Sequence, residues 1–216
     1  MLDNLWKFID DLERTPEFDL DGHISLVEVE KKANKLELKY LVHTGIDNKP
    51  SYIWKIVCDK VREHKIIFGE QYGNFKLYQD HVLFWSYHQP KLFLTFSNNP
   101  CNVDVDSVVG QLYPKHYELI GEWIPFHSYF NCSKHLTLQS LLRSRHGKLA
   151  EGAEKIILGY QEVLNKCGFK SSYLSYSAKY WDDDNGWINE DGRAQVLITD
   201  LSYVVASKFT AIQIED

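Results

Sequence analysis

Several features that would point directly to a function are missing from this chain of 216 residues. There are only four cysteines, they lie tens of residues apart and none forms a CxxC pair, which excludes a disulfide framework and a zinc-finger spacing. No apolar run approaches the ~18 residues of a membrane-spanning helix, and the N-terminal segment is acidic and amphipathic, unlike a secretion signal. We therefore expect a soluble, cytoplasmic protein with reduced thiols and no membrane contact.

Domain boundaries are also missing. No linker rich in Pro, Gly or Ser and no block of like charge divides the sequence, so residues 1–216 are expected to form a single domain. Hydrophobic residues make up 44% of the chain and aromatic residues 14%, which is sufficient for a sizeable core. The net charge of −6 argues against the extended cationic face that nucleic acids require.

Catalytic signatures are missing as well. The sequence contains no GxSxG elbow, no HExxH pair and no GxGxxG loop. The segment RHGK is not a phosphate-binding P-loop, because Lys148 is followed by Leu149 and the position five before Gly147 is Leu142. No catalytic residue, cofactor or metal ion is therefore predicted, and the sequence leaves open whether the chain is an enzyme.

Periodicity predicts an α+β fold built mainly on an antiparallel sheet. An N-terminal helix is predicted from Leu2 to Leu12, where apolar residues recur at helical spacing. The period then changes to two, and short strands separated by turn residues indicate a meander. These strands are predicted at Ile24 to Glu30, Leu36 to Val42, Tyr52 to Cys58, Lys65 to Phe68, Asn74 to Gln79, Val82 to Tyr87 and Leu92 to Phe96.

Two helices and three C-terminal strands complete the predicted fold. The first helix begins near Val105 and ends or kinks at Pro114, and the second runs from about Ala150 to Lys166. The strands are predicted at Tyr173 to Trp181, Ala194 to Thr199 and Tyr203 to Ile214.

Carboxylates are missing from one long run. The 28 residues between Glu122 and Glu151 contain none, although the chain as a whole is acidic. We call these residues the acid-free run. The aromatic first half, through Phe130, is interpreted as core. The second half places cations just before the predicted helix at Ala150, where backbone amides favour an anion and arginine adds bidentate recognition. The candidate anion-binding residues are Arg143, Arg145, His146, Lys148 and, from the first half, His127.

A metal site in the same run is the less favoured interpretation. His127, Cys132 and His135 are metal-ligand types within nine residues. Their spacing fits no structural zinc pattern, and the sequence does not place the nearest carboxylates beside them. We therefore interpret the three as polar residues with ordinary hydrogen-bond partners.

The opposite charge imbalance occurs from Trp181 to Gly192, which holds five carboxylates and no cation. Aligned on Gly186, this segment superficially resembles a calcium loop, but tryptophan and glycine occupy the first and twelfth ligand positions. A solvated hairpin loop turned by Asn185 and Gly186 is the favoured interpretation. The candidate partner-binding residues are Trp181, Asp182, Asp183, Asp184 and Trp187.

Two functional hypotheses follow. The first is a non-enzymatic protein-binding module, acting as a regulator, adaptor or neutraliser of a basic partner through the acidic loop. The alternative is an enzyme or small-ligand binder that recognises a phosphate- or carboxylate-bearing ligand through the His/Arg cluster. A rival explanation of the cations is that Arg143, Arg145 and Lys148 balance the acidic loop within the same molecule. The oligomeric state is left open.

Overall fold

The computed structural model describes residues 22–43, 51–68, 75–97, 104–176, 180–182, 186–188 and 194–214. These residues form a mixed α+β fold with mainly antiparallel strands, which confirms the predicted fold class. The chain divides into two compact units, Met1–Phe84 with Arg193–Asp216 and Trp85–Gly192. The single domain stays a prediction, and the N-terminal helix predicted from Leu2 to Leu12 lies outside the described residues.

The elements follow one another in chain order. The strands are β1 (His23–Lys32), β2 (Lys35–His43), β3 (Tyr52–Lys65), β4 (Phe75–Tyr78), β5 (Lys91–Ser97), β6 (His146–Ala153), β7 (Lys170–Tyr176), β8 (Tyr180–Asp182), β9 (Gly186–Ile188), β10 (Gln195–Thr199) and β11 (Ser202–Ile214). The helices are α1 (Val82–His88), α2 (Val105–Ile120), α3 (Leu138–Arg143) and α4 (Glu154–Lys166), with a 3-10 turn at Phe126–Tyr129. Within the described ranges, no helix has the length and apolar composition needed to cross a membrane.

The first unit is built on an antiparallel sheet in the order β1-β2-β3-β11-β10-β4. Alternation explains its core, because successive side chains of a strand point to opposite faces. In β2, for example, Leu36, Leu38, Tyr40 and Val42 are buried, whereas the residues between them are more exposed. The predicted hairpin between β1 and β2 and the two C-terminal strands β10 and β11 are confirmed.

A separate strand from Lys65 to Phe68 is wrong, because β3 already runs to Lys65 and ends there. Lys60 adopts a φ of 55°, the register against β11 shifts at Arg62, and the strand continues through this bulge. The backbone N–H of Val61 then donates to the carbonyl of Asn34 at 2.8 Å.

The second unit contains a three-stranded antiparallel sheet in the order β6-β5-β7. The predicted strand from Val82 to Tyr87 is wrong: this segment is helix α1. Val82, Leu83 and Phe84 are buried in succession, and a short apolar run of this kind fits a buried helix as well as a buried strand. Apolar residues on both faces are typical of a central, doubly covered strand, which is why the sequence favours one here.

The start of the second predicted helix is also corrected. Residues 146–153 form β6, which pairs with β5, and the helix begins only at Glu154. Small residues allow the strand to lie close to its neighbours, since a Cβ at Gly152 would be 2.6 Å from the Tyr129 ring. The good helix formers around Ala150 gave no sign of this pairing.

The first predicted helix is confirmed as α2 but extends past Pro114 to Ile120. Its N-terminus is capped by Asp104, whose carboxylate accepts from the N–H groups of Asp106 and Ser107. The packing of Leu112, His116 and Ile120 in the core continues the buried stripe across the proline. The single strand predicted from Tyr173 to Trp181 is likewise corrected, because β7 and β8 are separate there.

Candidate functional site

The acidic segment folds as a short antiparallel hairpin. Strands β8 and β9 pair with Tyr180 opposite Ile188, Trp181 opposite Trp187 and Asp182 opposite Gly186. We call residues 180–188 the acidic hairpin. Gly186 has a φ of 71°, a conformation that glycine adopts without the steric penalty of other residues. Strands on both sides differ from the helices that flank a calcium loop. The antiparallel pairing agrees with the predicted hairpin, whereas Asn185, which the prediction places in its turn, lies outside the described residues.

The acidic hairpin gathers the partner-binding candidates on one element. Trp181, Asp182 and Trp187 occupy paired register positions, whereas Asp183 and Asp184, between the two strands in the sequence, lie outside the described residues. All five candidates therefore fall within seven consecutive positions of one hairpin. A partner that contacted one of these positions would have the others nearby along the backbone.

Strand β7, which precedes the acidic hairpin in the sequence, carries two exposed apolar side chains. Leu174 is 67% exposed and Tyr173 is 43% exposed. Because adjacent residues of a strand point to opposite faces, the two extend the apolar surface on both sides of β7. Protein interfaces are often anchored by large apolar side chains that are exposed beside charged residues.

The cationic candidates are spread over several elements. Arg143 is the last residue of α3, Arg145 lies in the connection, His146 and Lys148 belong to β6, and His127 lies in the 3-10 turn. Four of the five are exposed, and Lys148 is half-buried. Since α4 begins at Glu154, the helix N-terminus that was expected beside these cations is separated from them by β6.

Two of the cations have anionic neighbours within the chain. Arg143 Nη2 lies 4.0 Å from Asp106 Oδ2, with both side chains largely exposed, which makes this a weak pair. Lys148 Nζ lies 2.5 Å from Glu151 Oε2. Neither partner belongs to the acidic hairpin, so among the described contacts these two cations are balanced elsewhere.

Lys148 and Glu151 belong to a compact group on one face of the three-stranded sheet. We call Phe93, Lys148, Glu151 and Tyr176 the sheet-face cluster. The Lys148 ammonium lies 4.0 Å from the centre of the Phe93 ring, and the Phe93 and Tyr176 rings stack at 4.6 Å. The Tyr176 hydroxyl donates to Glu151 Oε1. One residue or more from each of the three strands thus contributes to the cluster.

The charged and polar groups of the sheet-face cluster are paired with one another. The hydrogen bond from Lys148, followed by that from Tyr176, lowers the pKa of Glu151 below its usual range. Both Glu151 oxygens are engaged, and the Lys148 ammonium has a carboxylate and an aromatic face as partners. The arrangement therefore holds β5, β6 and β7 together and supplies Lys148 with an anion from within the chain.

Sequence reasoning missed this cluster for a specific geometrical reason. In a regular strand, residues three apart lie on opposite faces. The register between β5 and β6 shifts at Leu94 and Thr95, so Thr95 pairs with Lys148 and Leu149 forms a bulge. The bulge brings Lys148 onto the same face as Glu151, and no sequence signal announced it.

A second polar pair lies buried between α2 and α4. His116 is 3% exposed, and its Nδ1 lies 2.6 Å from the Tyr160 hydroxyl while its Nε2 lies 2.8 Å from the carbonyl oxygen of Ile124. A carbonyl oxygen can only accept, so Nε2 carries the proton and Tyr160 donates to Nδ1 of a neutral imidazole. Burial lowers the pKa of His116 and raises the pKa of Tyr160.

The aromatic half of the acid-free run surrounds this pair. Phe130 is 6% exposed and stacks on Tyr160 at 5.0 Å, and Phe126 lies edge-on to His116 at 5.3 Å. Both ring nitrogens of His116 are used in hydrogen bonds, and the surrounding rings exclude water. The pair is thus a satisfied part of the core. The interpretation of the aromatic half as core is confirmed for Phe130, whereas Trp123, Phe126 and Tyr129 are only half-buried.

The cysteine and histidine side chains of the acid-free run do not form a cluster. In the part of the chain that the structure describes, no three or more His, Cys, Asp or Glu side chains are grouped to hold a metal ion. Cys132 is half-buried, and burial raises its pKa, which disfavours the thiolate that metals bind. Cys58, Cys132 and Cys167 are free thiols.

No family model, curated protein or solved structure matches this chain. Its function is therefore argued from the geometry and chemistry of its own residues.

Proposed function

We propose that this chain is a non-enzymatic protein-binding module that holds a basic protein partner through the acidic hairpin. One observation carries the proposal: the register of β8 and β9, which places Trp181 opposite Trp187 with the aspartates of residues 182–184 between them in the sequence. Charge of a single sign and two aromatic residues are thereby concentrated on a short, backbone-defined element. A regulator, adaptor or neutraliser of a basic protein uses such a surface.

Charge and aromatic anchors play different parts in this proposal. The segment Trp181–Gly192 holds five carboxylates and no cation, so it attracts a basic surface and accelerates encounter at low salt. Salt at physiological strength screens exposed charges beyond ~8 Å, so the steering is strongest in dilute buffer. The tryptophans supply the contact area that keeps the complex together, since Trp is enriched among residues that dominate binding energy.

The compartment proposed for this function is the cytoplasm. Three described cysteines, Cys58, Cys132 and Cys167, are free thiols, which agrees with a reducing environment. A basic cytoplasmic protein is therefore the proposed partner class.

The test begins with capture of the partner from the native host and continues with purified proteins. The dissociation constant of the complex is measured for the parent and for the triple variant D182N/D183N/D184N. The matched control is D106N/E118Q/E162Q, which removes the same charge from exposed positions on α2 and α4. We expect binding to weaken on the order of ten-fold or more for the hairpin variant only. Equal constants for all three proteins would overturn the proposal.

The anionic-ligand hypothesis stays a prediction, favoured by the exposure of the neighbouring residues Arg143, Arg145 and His146. Thermal denaturation with nucleotides, sugar phosphates and inorganic phosphate separates it from the binding module. A ligand present at a hundred times its dissociation constant stabilises the folded protein by about 2.7 kcal/mol. The binding-module proposal predicts no such shift, whereas a shift that disappears in R143A/R145A would support the anion site.

A further inference from the structure

We propose that His23 and His43 form a binding site for a late first-row divalent metal ion, of the class Zn²⁺, Cu²⁺ or Ni²⁺. The site lies in the first unit, on β1 and β2, and is independent of the acidic hairpin.

The sheet register brings the two imidazoles together. His23 and His43 are directly opposed Cα partners at one end of the β1–β2 ladder. Directly opposed residues of an antiparallel pair have Cβ atoms ~4.5–5.5 Å apart. The neighbouring residues Ile24 and Val42 are buried, so alternation places both histidines on the other face of these strands. His43 is exposed and His23 is half-buried, so an ion in solution has access to them.

The separation of the rings matches that of two imidazoles on one metal ion. The ring centres of His23 and His43 are 5.1 Å apart, and their planes differ by 7°. With metal–nitrogen bonds of ~2.0–2.1 Å and a tetrahedral angle, two imidazoles bound to one zinc ion have ring centres roughly 5.2 Å apart. The separation therefore needs almost no change. Because a bound ion lies in the plane of each imidazole, the two nearly parallel rings must turn about their Cβ–Cγ bonds when the ion binds.

The chemistry of the pair defines the ion. Neutral imidazole nitrogens suit Zn²⁺, Cu²⁺ and Ni²⁺, and Cu²⁺ binds most tightly among the divalent ions of this series. Within the described ranges no third ligand side chain joins the pair. A bound ion links the ends of β1 and β2.

The experiment is a titration of the purified metal-free protein with Cu²⁺ and, separately, with Zn²⁺, followed by calorimetry. H23A and H43A are compared with the parent, with the double variant H23A/H43A, and with H64A, which removes an exposed histidine of the same unit on β3. Circular dichroism confirms that each variant is folded. The nitrogen hyperfine pattern of bound Cu²⁺ reports how many imidazoles coordinate it.

We expect one Cu²⁺ site that is weaker by on the order of ten-fold or more in either single variant, because the second bond becomes intramolecular only when both rings are present. The double variant should lose the site, because neither imidazole remains, and H64A should match the parent. The hyperfine pattern should change from two nitrogens to one in the singles. Parent-like affinity in H23A or H43A, or an affinity loss in H64A of the same size, would overturn the proposal.

Discussion

Residues 143–148 and the acidic hairpin are alike in sequence, since each collects charge of one sign, but they differ in how the backbone distributes that charge. The cations are spread over the end of α3, a connection and β6, and Arg143 and Lys148 have carboxylates of the same unit beside them. The hairpin candidates fall on paired positions of a single element and the residues that join them. A charged stretch is therefore a good site candidate when its residues lie on a single structural element.

The largest expected effect is a loss of stability in the aromatic half of the acid-free run, which tests its contrast with the cationic half. Phe130→Ala should lower the free energy of unfolding by about 3–5 kcal/mol, because it removes a buried ring and leaves a cavity. Phe130 contacts the rings of Tyr160 at 5.0 Å and Phe126 at 4.9 Å. Urea denaturation measures the change, and a loss below ~1 kcal/mol would mean that this half is not core.

The next effect tests the buried polar pair between α2 and α4. Tyr160→Phe should destabilise the protein by about 1–3 kcal/mol, since it leaves Nδ1 of His116 buried without its donor. Chemical denaturation gives the value, and Tyr173→Phe, at an exposed position on β7, serves as the control. Equal stability of the two variants would show that the hydrogen bond is not needed.

The same pair predicts a dependence of stability on pH. Burial lowers the pKa of His116 below the ordinary value of 6.5, so the unfolded chain binds a proton more readily than the folded protein. Stability from this group is complete above about pH 6.5 and falls as the pH drops from there towards the folded pKa. Melting temperatures between pH 8 and pH 5 should show this slope, and His116→Gln should reduce it. Burial also lowers the pKa of His81, which accounts for a remaining slope.

A smaller effect tests whether Lys148 is engaged within the chain. Glu151→Gln should lower the free energy of unfolding by about 0.5–1 kcal/mol, because both side chains of the ion pair are only 36–38% exposed. Its matched control is Glu162→Gln, which removes the more exposed pair with Lys166 on α4 and should change stability by less. The Glu151 contribution is present above pH 4.5 and is lost in more acidic solution, since the folded pKa lies lower. A larger loss of stability in Glu162→Gln than in Glu151→Gln would contradict the engagement of Lys148.

The smallest effect concerns the exposed end of the cationic stretch. Arg145→Ala should change the free energy of unfolding by less than about 0.5 kcal/mol, because Arg145 is exposed in a connection. Thermal denaturation in phosphate and in an uncharged buffer measures it. A stabilisation by phosphate that this substitution removes would restore the anion hypothesis and weaken the contrast with the acidic hairpin.

The parts of the fold that sequence predicts are those with a local signal. Strands β2, β10 and β11 carry alternating or β-branched apolar residues, and the acidic hairpin carries a turn glycine. Strand β6 has no such signal: HGKLAEGA is rich in small residues, and its conformation comes from pairing with β5, whose residues lie 49 to 62 positions earlier. Helix α1 was missed because a short apolar run suits both kinds of element.

The candidate site shows the same limit. Both tryptophans and the aspartates between them were identifiable from composition, but their register needed the structure. His116 did carry a signal, because it continues the buried helical stripe of Val108, Leu112 and Ile120 at four-residue spacing. Its partner Tyr160 is 44 positions away on another helix, and the contact depends on how the two helices pack.

The measurement that tests the central claim most directly is the dissociation constant of the captured basic partner for D182N/D183N/D184N and for R143A/R145A, measured side by side with the parent at low and physiological salt. We expect the hairpin variant to bind on the order of ten-fold more weakly and to lose much of the salt dependence, while the arginine variant binds like the parent. Parent-like binding by the hairpin variant, together with weakened binding by the arginine variant, would contradict the assignment of the acidic hairpin as the binding element.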